Sequence, residues 1–277
     1  MTIPYSCDTI TSPGNPRVRQ AAALREADAR RDSGLTLVDG RRELSRAVAA
    51  GVAVDEVFVA ADQPLDDCRP WLADLADGGT RLTPLAERPF AKIAFGSRNE
   101  GVVGVVRFGP LPLARARFAA DRPLLVIEGV EKPGNLGAIL RTADAAGFGV
   151  IVCDGRTDPA NPAVIRASLG TVFTVPLATT SLVELLPWLH AAGRRVVAAT
   201  PAGQKLWHET RLAGPAAILL GSEAHGISPR WQQAAADGTL TLETIRLPMR
   251  GAADSLNLSA TAAVLAYEAL RQEEASA

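Results

Sequence analysis

Six short apolar runs in the second half of the chain, none alternating with polar residues, set the strongest limit on its fold: residues 124–127, 150–153, 173–175, 195–199, 217–220 and 244–247. A strand with one wet face alternates apolar and polar side chains. A run that is apolar throughout needs cover on both faces, as in a parallel sheet wrapped by helices. Helical patterns separate these runs at 136–146, 162–169, 182–192, 229–236 and 256–271. The alternation predicts an α/β domain with a mostly parallel, doubly wound sheet, whose ligands bind beyond the carboxyl ends of the strands.

Ahead of this region lies a smaller α/β module. Helical patterns at 16–31, 41–50, 68–76 and 86–94 flank strand-like runs at 35–38, 57–60 and 101–108. Gly109-Pro110-Leu111-Pro112 and the charged stretch after it break the pattern. The expected division is therefore 1–108, a linker at 109–122, and 123–277. Two domains suit 277 residues at roughly 150 per domain.

The net charge of −1, with 29 basic against 30 acidic residues, argues against a surface coated in positive charge. Basic character is local instead. Residues 15–46 carry Arg17, Arg19, Arg25, Arg30, Arg31, Arg41, Arg42 and Arg46 against five acids, Glu26, Asp28, Asp32, Asp39 and Glu43. The cluster reads either as the solvated face of an amphipathic helix pair or as a phosphate-contacting surface, to which arginine is better suited than lysine. Cys7, Cys68 and Cys153 form no CxxC pair, so no zinc site and a reducing compartment are expected. The opening MTIPYSCDTITSPGNPRVR has no basic segment followed by an apolar run, and no apolar stretch approaches the length of a membrane helix. A cytoplasmic protein with no membrane contact is expected.

The loops after the strands carry the chemistry. Gly129 and Gly134 have Walker A spacing, but Asn135 and Leu136 stand where a nucleotide loop needs Lys and Ser or Thr. Gly147-Phe148-Gly149 precedes a strand, whereas a dinucleotide fingerprint must follow one. Asn135 and Arg141 lie about 120° apart on the helix that this loop opens; Asn135 alone reads as a cap. The second loop, Gly221-Ser222-Glu223-Ala224-His225-Gly226, ends a strand in a glycine that lets a ligand near the backbone. His225 has no carboxylate or serine partner at a recognisable spacing and reads as a loop residue. In the third loop, Leu247-Pro248-Met249-Arg250-Gly251 leads through Ser255 and Asn257 into the last helix.

Taken together, the three loops resemble the signature motifs of the SpoU family of RNA ribose 2′-O-methyltransferases, in the SPOUT superfamily. The first is Asn135-x-Gly137-x-x-x-Arg141-Thr142-Ala143, the second Leu220-Gly221-Ser222-Glu223-x-x-Gly226, and the third Leu247-Pro248-Met249-x-Gly251-x-x-x-Ser255-Leu256-Asn257-Leu258-Ser259. The first module, through Asn15-Pro16-x-Val18 and Gly40-Arg41-Arg42, resembles more loosely the small α/β RNA-binding domain that precedes the catalytic domain in many members.

The resemblance implies S-adenosylmethionine as methyl donor, a homodimer with active sites at the subunit interface, and a carboxy-terminal trefoil knot around the cofactor pocket. Folding rules alone would expect an unknotted sheet. It also implies roles for matching residues. Leu220, Gly221, Ile245, Leu247, Met249 and Leu256 would bind the cofactor, with Thr200 and Pro201 beside the adenine. Asn135, Arg141, Glu223, Ser255 and Asn257 would form the catalytic set. Arg141 either loses its proton in the site or stabilises the forming alkoxide while another group takes the proton.

Arg17, Arg19, Arg30, Arg41, Arg166 and Arg250 are the candidate RNA contacts. The substrate implied by the additional N-terminal module is ribosomal RNA, with large-subunit RNA favoured. Transfer RNA is the second substrate, and a catalytically silent RNA binder the alternative from another class. Housekeeping modification and protection against a ribosome-targeting antibiotic fit the sequence equally.

Overall fold

A computed structural model of the chain describes residues 3–95, 100–109 and 111–275, so Pro110 of the expected linker lies outside the described residues. The chain divides into two compact units: Met1–Gly109 with Pro159–Thr174, and Pro110–Asp158 with Val175–Ala277. The segment 159–174, which the sequence pattern assigns to the second module, thus belongs by its packing to the first. No helix of the described residues is long and apolar enough to cross a membrane.

The chain opens with α1 (Pro16–Ala23), α2 (Ala27–Ser33), β1 (Leu35–Asp39), α3 (Arg41–Ala49) and β2 (Val54–Ala60). α4 (Arg69–Asp77), β3 (Arg81–Leu85), α5 (Glu87–Ile93) and β4 (Val102–Arg107) follow. The four strands form a sheet in the order β1-β4-β2-β3, antiparallel except for the β2–β3 pair. β3 was not evident from the pattern because Pro84 interrupts it. Its edge position explains the tolerance, since an edge strand needs no ladder donor on its outer side. The N-terminal segment covers that edge: Ser6 and Ile10 donate their N–H groups to the carbonyls of Leu82 and Pro84.

The single helix expected over 16–31 is broken at residues 24–26. The carbonyls freed by the break accept from the Arg30 guanidinium, at 3.0 Å for Leu24 and 2.8 Å for Arg25. Arg30 is only 5% exposed, so its candidacy as an RNA contact is corrected: it is a buried brace.

β5 (Leu124–Glu128), α6 (Pro133–Ala146) and β6 (Gly149–Cys153) begin the second unit. α7 (Pro162–Ala167) then belongs to the first unit. There Thr36 Oγ1 donates to the Ala160 carbonyl at 2.6 Å, Arg46 to the Leu169 carbonyl at 2.7 Å, and the rings of Phe108 and Phe173 meet edge to face at 4.8 Å. The strand expected at 173–175 is instead a 3-10 turn at Thr171–Phe173, with the strand beginning past Pro176. A three-residue apolar run cannot be told from a buried turn by periodicity.

The remainder comprises β7 (Leu177–Thr180), α8 (Leu182–Ala191), β8 (Arg195–Ala199), β9 (Lys205–Leu206), β10 (Ala216–Leu220), α9 (Pro229–Ala236), β11 (Leu242–Arg246) and α10 (Leu258–Glu274). Seven strands form one sheet in the order β7-β6-β5-β10-β8-β11-β9, and every neighbouring pair is parallel. β5, β6 and β10 are buried at every position, which is why their sequences do not alternate.

Trp231 of α9 is the largest fully buried side chain, packed with Val126, Ile151 and Leu219, and its indole donates to Glu128 at 3.0 Å. Trp231→Ala is expected to cost about 3–5 kcal/mol. A urea unfolding midpoint that hardly moves would show that α9 does not brace the sheet.

Candidate active site

The three motif loops meet at the carboxyl ends of β5, β10 and β11, in the second unit. β5 and β10 are hydrogen-bonded neighbours in register, Leu220 beside Ile127, so the loops that follow them start side by side. Gly129 (φ +65°) allows the first loop to turn at once, and a Cβ there would lie 3.3 Å from Ser222 Cβ. The second loop closes on itself: Ser222 and Gly226 exchange N–H···O bonds of 2.9 Å, which projects Glu223 from a two-ended turn.

Three motif residues form one hydrogen-bonded cluster. Asn135 Nδ2 donates to Glu223 Oε1 at 2.8 Å, and Asn257 Nδ2 donates to the same oxygen at 3.2 Å and to Asn135 Oδ1 at 3.1 Å. Asn135 is not the cap of α6, as it reads in isolation; Lys132 occupies that position. Asn257 does cap α10, accepting from the N–H of Ser259 at 2.9 Å through Oδ1, while its amide nitrogen joins the cluster. The Lys132 ammonium pairs with Glu223 Oε2. That hydrogen bond is the main cause holding the Glu223 carboxyl below the usual carboxylate range, opposed by partial desolvation and aided by Asn135.

Glu223 also lies on the wall of a cavity of about 720 Å³, within the range typical of cofactor sites. Thr200, Pro201, Leu220, Gly221, Leu247, Met249 and Leu256 line it, as do Ser255 and Arg250. Leu256 is an apolar side chain left 41% exposed, a surface that a bound ring system would cover. Gly221 has no room for a side chain, because a Cβ would fall 2.2 Å from the Gly226 carbonyl carbon. Ile245 does not line the cavity: its side chain is buried, and its carbonyl accepts the Thr200 N–H at 2.9 Å, holding the Thr200–Pro201 loop in place. Apolar walls with the carboxylates of Glu223 and Asp254 and the guanidinium groups of Arg246 and Arg250 fit a molecule that carries an aromatic ring and a charged tail.

Arg141 is not drawn into this cluster. It is exposed on α6, about two turns from the Asn135 end, and makes no hydrogen bond or ion pair among the described residues. His225 is exposed, and its backbone N–H bonds Ser222 Oγ at 3.0 Å.

Of the other candidate RNA contacts, Arg17 is committed to Glu56 and Thr83, and Arg166 to Asp39 at 2.8 Å and to the Phe95 carbonyl. Both are corrected to internal braces of the first unit. Arg19 and Arg41 are exposed, with no side-chain partner among the described residues, and Arg250 is exposed on the cavity wall.

Two residues that the motifs did not indicate also shape the site. One is Lys132. The other is Glu128, the last residue of β5, whose Oε2 accepts from the Ser228 N–H at 2.9 Å and from the Trp231 indole, tying the second loop's exit to the sheet. Burial pushes the Glu128 carboxyl above its ordinary range, while those two donors pull it down. A lone acid ending an otherwise apolar buried strand was the available signal.

Residues 122–267 match the SpoU rRNA Methylase family, and residues 15–104 match the MRM3-like substrate binding domain. The 23S rRNA (uridine(2479)-2'-O)-methyltransferase of Streptomyces viridochromogenes is 31% identical over 272 residues, covering 93% of this chain and 90% of that protein. The 23S rRNA (guanosine-2'-O-)-methyltransferase RlmB of Photobacterium profundum is 31% identical over 245 residues, covering 82% and 96%. The solved AdoMet-bound rRNA methyltransferase from Sinorhizobium meliloti superposes with a TM-score of 0.84 at 27% identity, over 95% of this chain and 97% of that one.

Proposed function

Because the chain belongs to the SpoU rRNA methylase family, we propose that it methylates a ribose 2′-hydroxyl of ribosomal RNA, in the large-subunit RNA, using S-adenosylmethionine. The observation that carries this reading is the convergence of Asn135 and Asn257, from two separate motif segments, on Glu223 of a third, which itself lines a cavity fit for the cofactor.

Bound S-adenosylmethionine supplies a methyl group made electrophilic by its sulfonium. Transfer would form an O–C bond as the C–S bond breaks and S-adenosylhomocysteine leaves, with the hydroxyl proton released to solvent. The protein's part is to align the ribose with the methyl and to stabilise the charge that develops on the 2′-oxygen. Leu220, Leu247, Met249 and Leu256 would hold the ring system, with Thr200 and Pro201 closing one side. Ser255 on the cavity wall, and Asn135 and Asn257 behind Glu223, would offer polar groups for the ribose. A guanidinium donates five N–H groups and accepts none, so Arg141 acts on the developing alkoxide and not as the base.

Arg141 lies off the cavity wall of its own chain, which supports a homodimer in which the partner completes the site. α10, which packs against α6, leaves Val264 and Tyr267 37% and 55% exposed, apolar surface that a partner subunit would cover. A carboxy-terminal trefoil knot is the chain path expected of a member of this family. The protein would act in the cytoplasm.

The N-terminal unit is assigned to RNA binding through Arg19 and Arg41. Deleting residues 1–108 is a poor test, since Val164 and Ile165 of α7 are buried within that unit and would be stripped of cover. Arg19→Glu with Arg41→Glu is expected to weaken RNA binding, to lower the salt slope by about one per residue, and to leave cofactor affinity unchanged. Unaltered RNA affinity would move the contact elsewhere.

The function itself is tested by incubating the protein with labelled cofactor and separate ribosomal and transfer RNA pools, then mapping the methylated nucleotide. Label confined to transfer RNA would replace the substrate, and no label in either pool would favour a silent binder. Sensitivity of a deletion strain to ribosome-targeting antibiotics tests a protective role.

A further inference from the structure

We propose that Lys132 is a positioning residue for methyl transfer: its ammonium grips one oxygen of Glu223, so that the other oxygen sets the amide orientations of Asn135 and Asn257. The proposal rests on the methyltransferase reading of the site.

Lys132 is the residue just before α6, with extended backbone (φ −91°, ψ 120°), and its carbonyl accepts the N–H groups of Asn135 and Leu136 at 3.1 and 3.2 Å. Its backbone is therefore fixed by the helix that carries Asn135 and Arg141. Its side chain, 69% exposed, crosses to Glu223 in the loop after β10 and pairs with Oε2. Oε1 is thereby left to accept from Asn135 Nδ2 and Asn257 Nδ2.

An asparagine amide can rotate by 180° and exchange donor for acceptor at little steric cost, whereas a carboxylate only accepts. A carboxylate held in place thus forces both amides to present nitrogen towards it. Asn257 is then fully specified, because its Oδ1 accepts from the N–H and hydroxyl of Ser259 at 2.9 and 2.6 Å. Asn135 keeps its second amide N–H uncommitted among the described residues and aimed by the same constraint.

The ionisable groups around Glu223 are Lys132 just before α6, His225 in its own turn, and Arg246, Arg250 and Asp254 around the cavity. Among the described residues, only Lys132 is within ion-pairing distance of it. A solvent-facing carboxylate is ionised at neutral pH with or without a lysine. What Lys132 supplies there is orientation, and its electrostatic contribution becomes visible only in acid.

The test compares the full-length wild type with Lys132→Met and Lys132→Arg, by steady-state methylation across pH and by carbon-detected NMR titration of the Glu223 carboxyl. Lys132→Met is expected to lower kcat about 10- to 100-fold, the size of effect a small misplacement of reacting groups produces. KM for S-adenosylmethionine should stay unchanged, and the Glu223 titration and the acid limb of the rate profile should both move to higher pH. Lys132→Arg should recover most of the rate. A raised KM for RNA with unchanged kcat would make Lys132 an RNA phosphate contact only, and an unmoved Glu223 titration would equally overturn the proposal. The NMR arm needs no turnover. If wild type methylates no RNA, the enzyme reading fails on its own, while the titration still decides whether Lys132 governs Glu223.

Discussion

Arg141→Ala is expected to cut methyl transfer by on the order of 10³-fold while leaving the affinity for S-adenosylmethionine unchanged. The separation follows from where the side chain lies. The buried face of α6 is made by Leu136, Gly137, Ile139, Leu140, Ala143 and Ala146, so removing an exposed arginine leaves the packing intact, within about 0.5 kcal/mol. Arg141 is also absent from the cavity wall, so the cofactor loses no contact within its own chain. Arg141→Lys keeps the charge and loses the planar fork; a partial rate would point to charge, and a rate as low as alanine's to two-pronged geometry. The measurements are single-turnover methylation with saturating RNA and calorimetric titration of cofactor. Full turnover in the alanine variant would sink the assigned role.

Gly221→Ala is expected to weaken cofactor binding by about 100-fold and to destabilise the fold by about 1–3 kcal/mol. One methyl has this effect because of what it meets. The added carbon would fall 2.2 Å from the carbonyl carbon of Gly226, 2.3 Å from its oxygen and 2.5 Å from the N–H nitrogen of Ile227. These are backbone atoms and cannot rotate away as a flexible side chain could. The Ser222–Gly226 turn must move, and with it Glu223 and one wall of the cavity. Gly134→Ala is the control, since a Cβ there has nothing within 4 Å and Gly134 has ordinary helical backbone. It should leave stability unchanged or raise it by a few tenths of a kcal/mol. Equal behaviour of the two variants in cofactor titration and thermal unfolding would remove the steric explanation.

Much of the catalytic unit was legible from local pattern. The runs at 124–127, 150–153, 195–199 and 217–220 became interior strands because burial on both faces leaves a signature in consecutive residues. The run at 173–175 failed for the converse reason, being too short to separate a strand from a buried turn. The candidate site residues likewise gathered at the expected end of the sheet, apart from Arg141, which stays exposed on α6 away from the cluster, and Ile245, whose side chain went to the core and whose carbonyl supports a neighbouring loop. Among the arginines of residues 15–46 the sequence could count charge but not availability. Arg17, Arg30 and Arg46 differ from Arg19 and Arg41 only in the carbonyls and carboxylates that lie within reach.

The sequence by itself determined the fold class, the two-part chemistry and the family motifs, because hydrophobic period and turn residues act over a few neighbours. Only the tertiary structure decided which side chains meet. Asn135 finds Glu223 across 88 residues and Asn257 across 122, Lys132 finds Glu223 across 91, and α7 leaves its sequence neighbours to pack in the first unit. Such pairings depend on strand order, β5 beside β10, and on the closed turns after each strand. Neither is written in any short stretch of chain. A hydrogen bond is satisfied by whatever donor the fold brings within about 3 Å, and the identity of that donor is a property of the whole packed molecule.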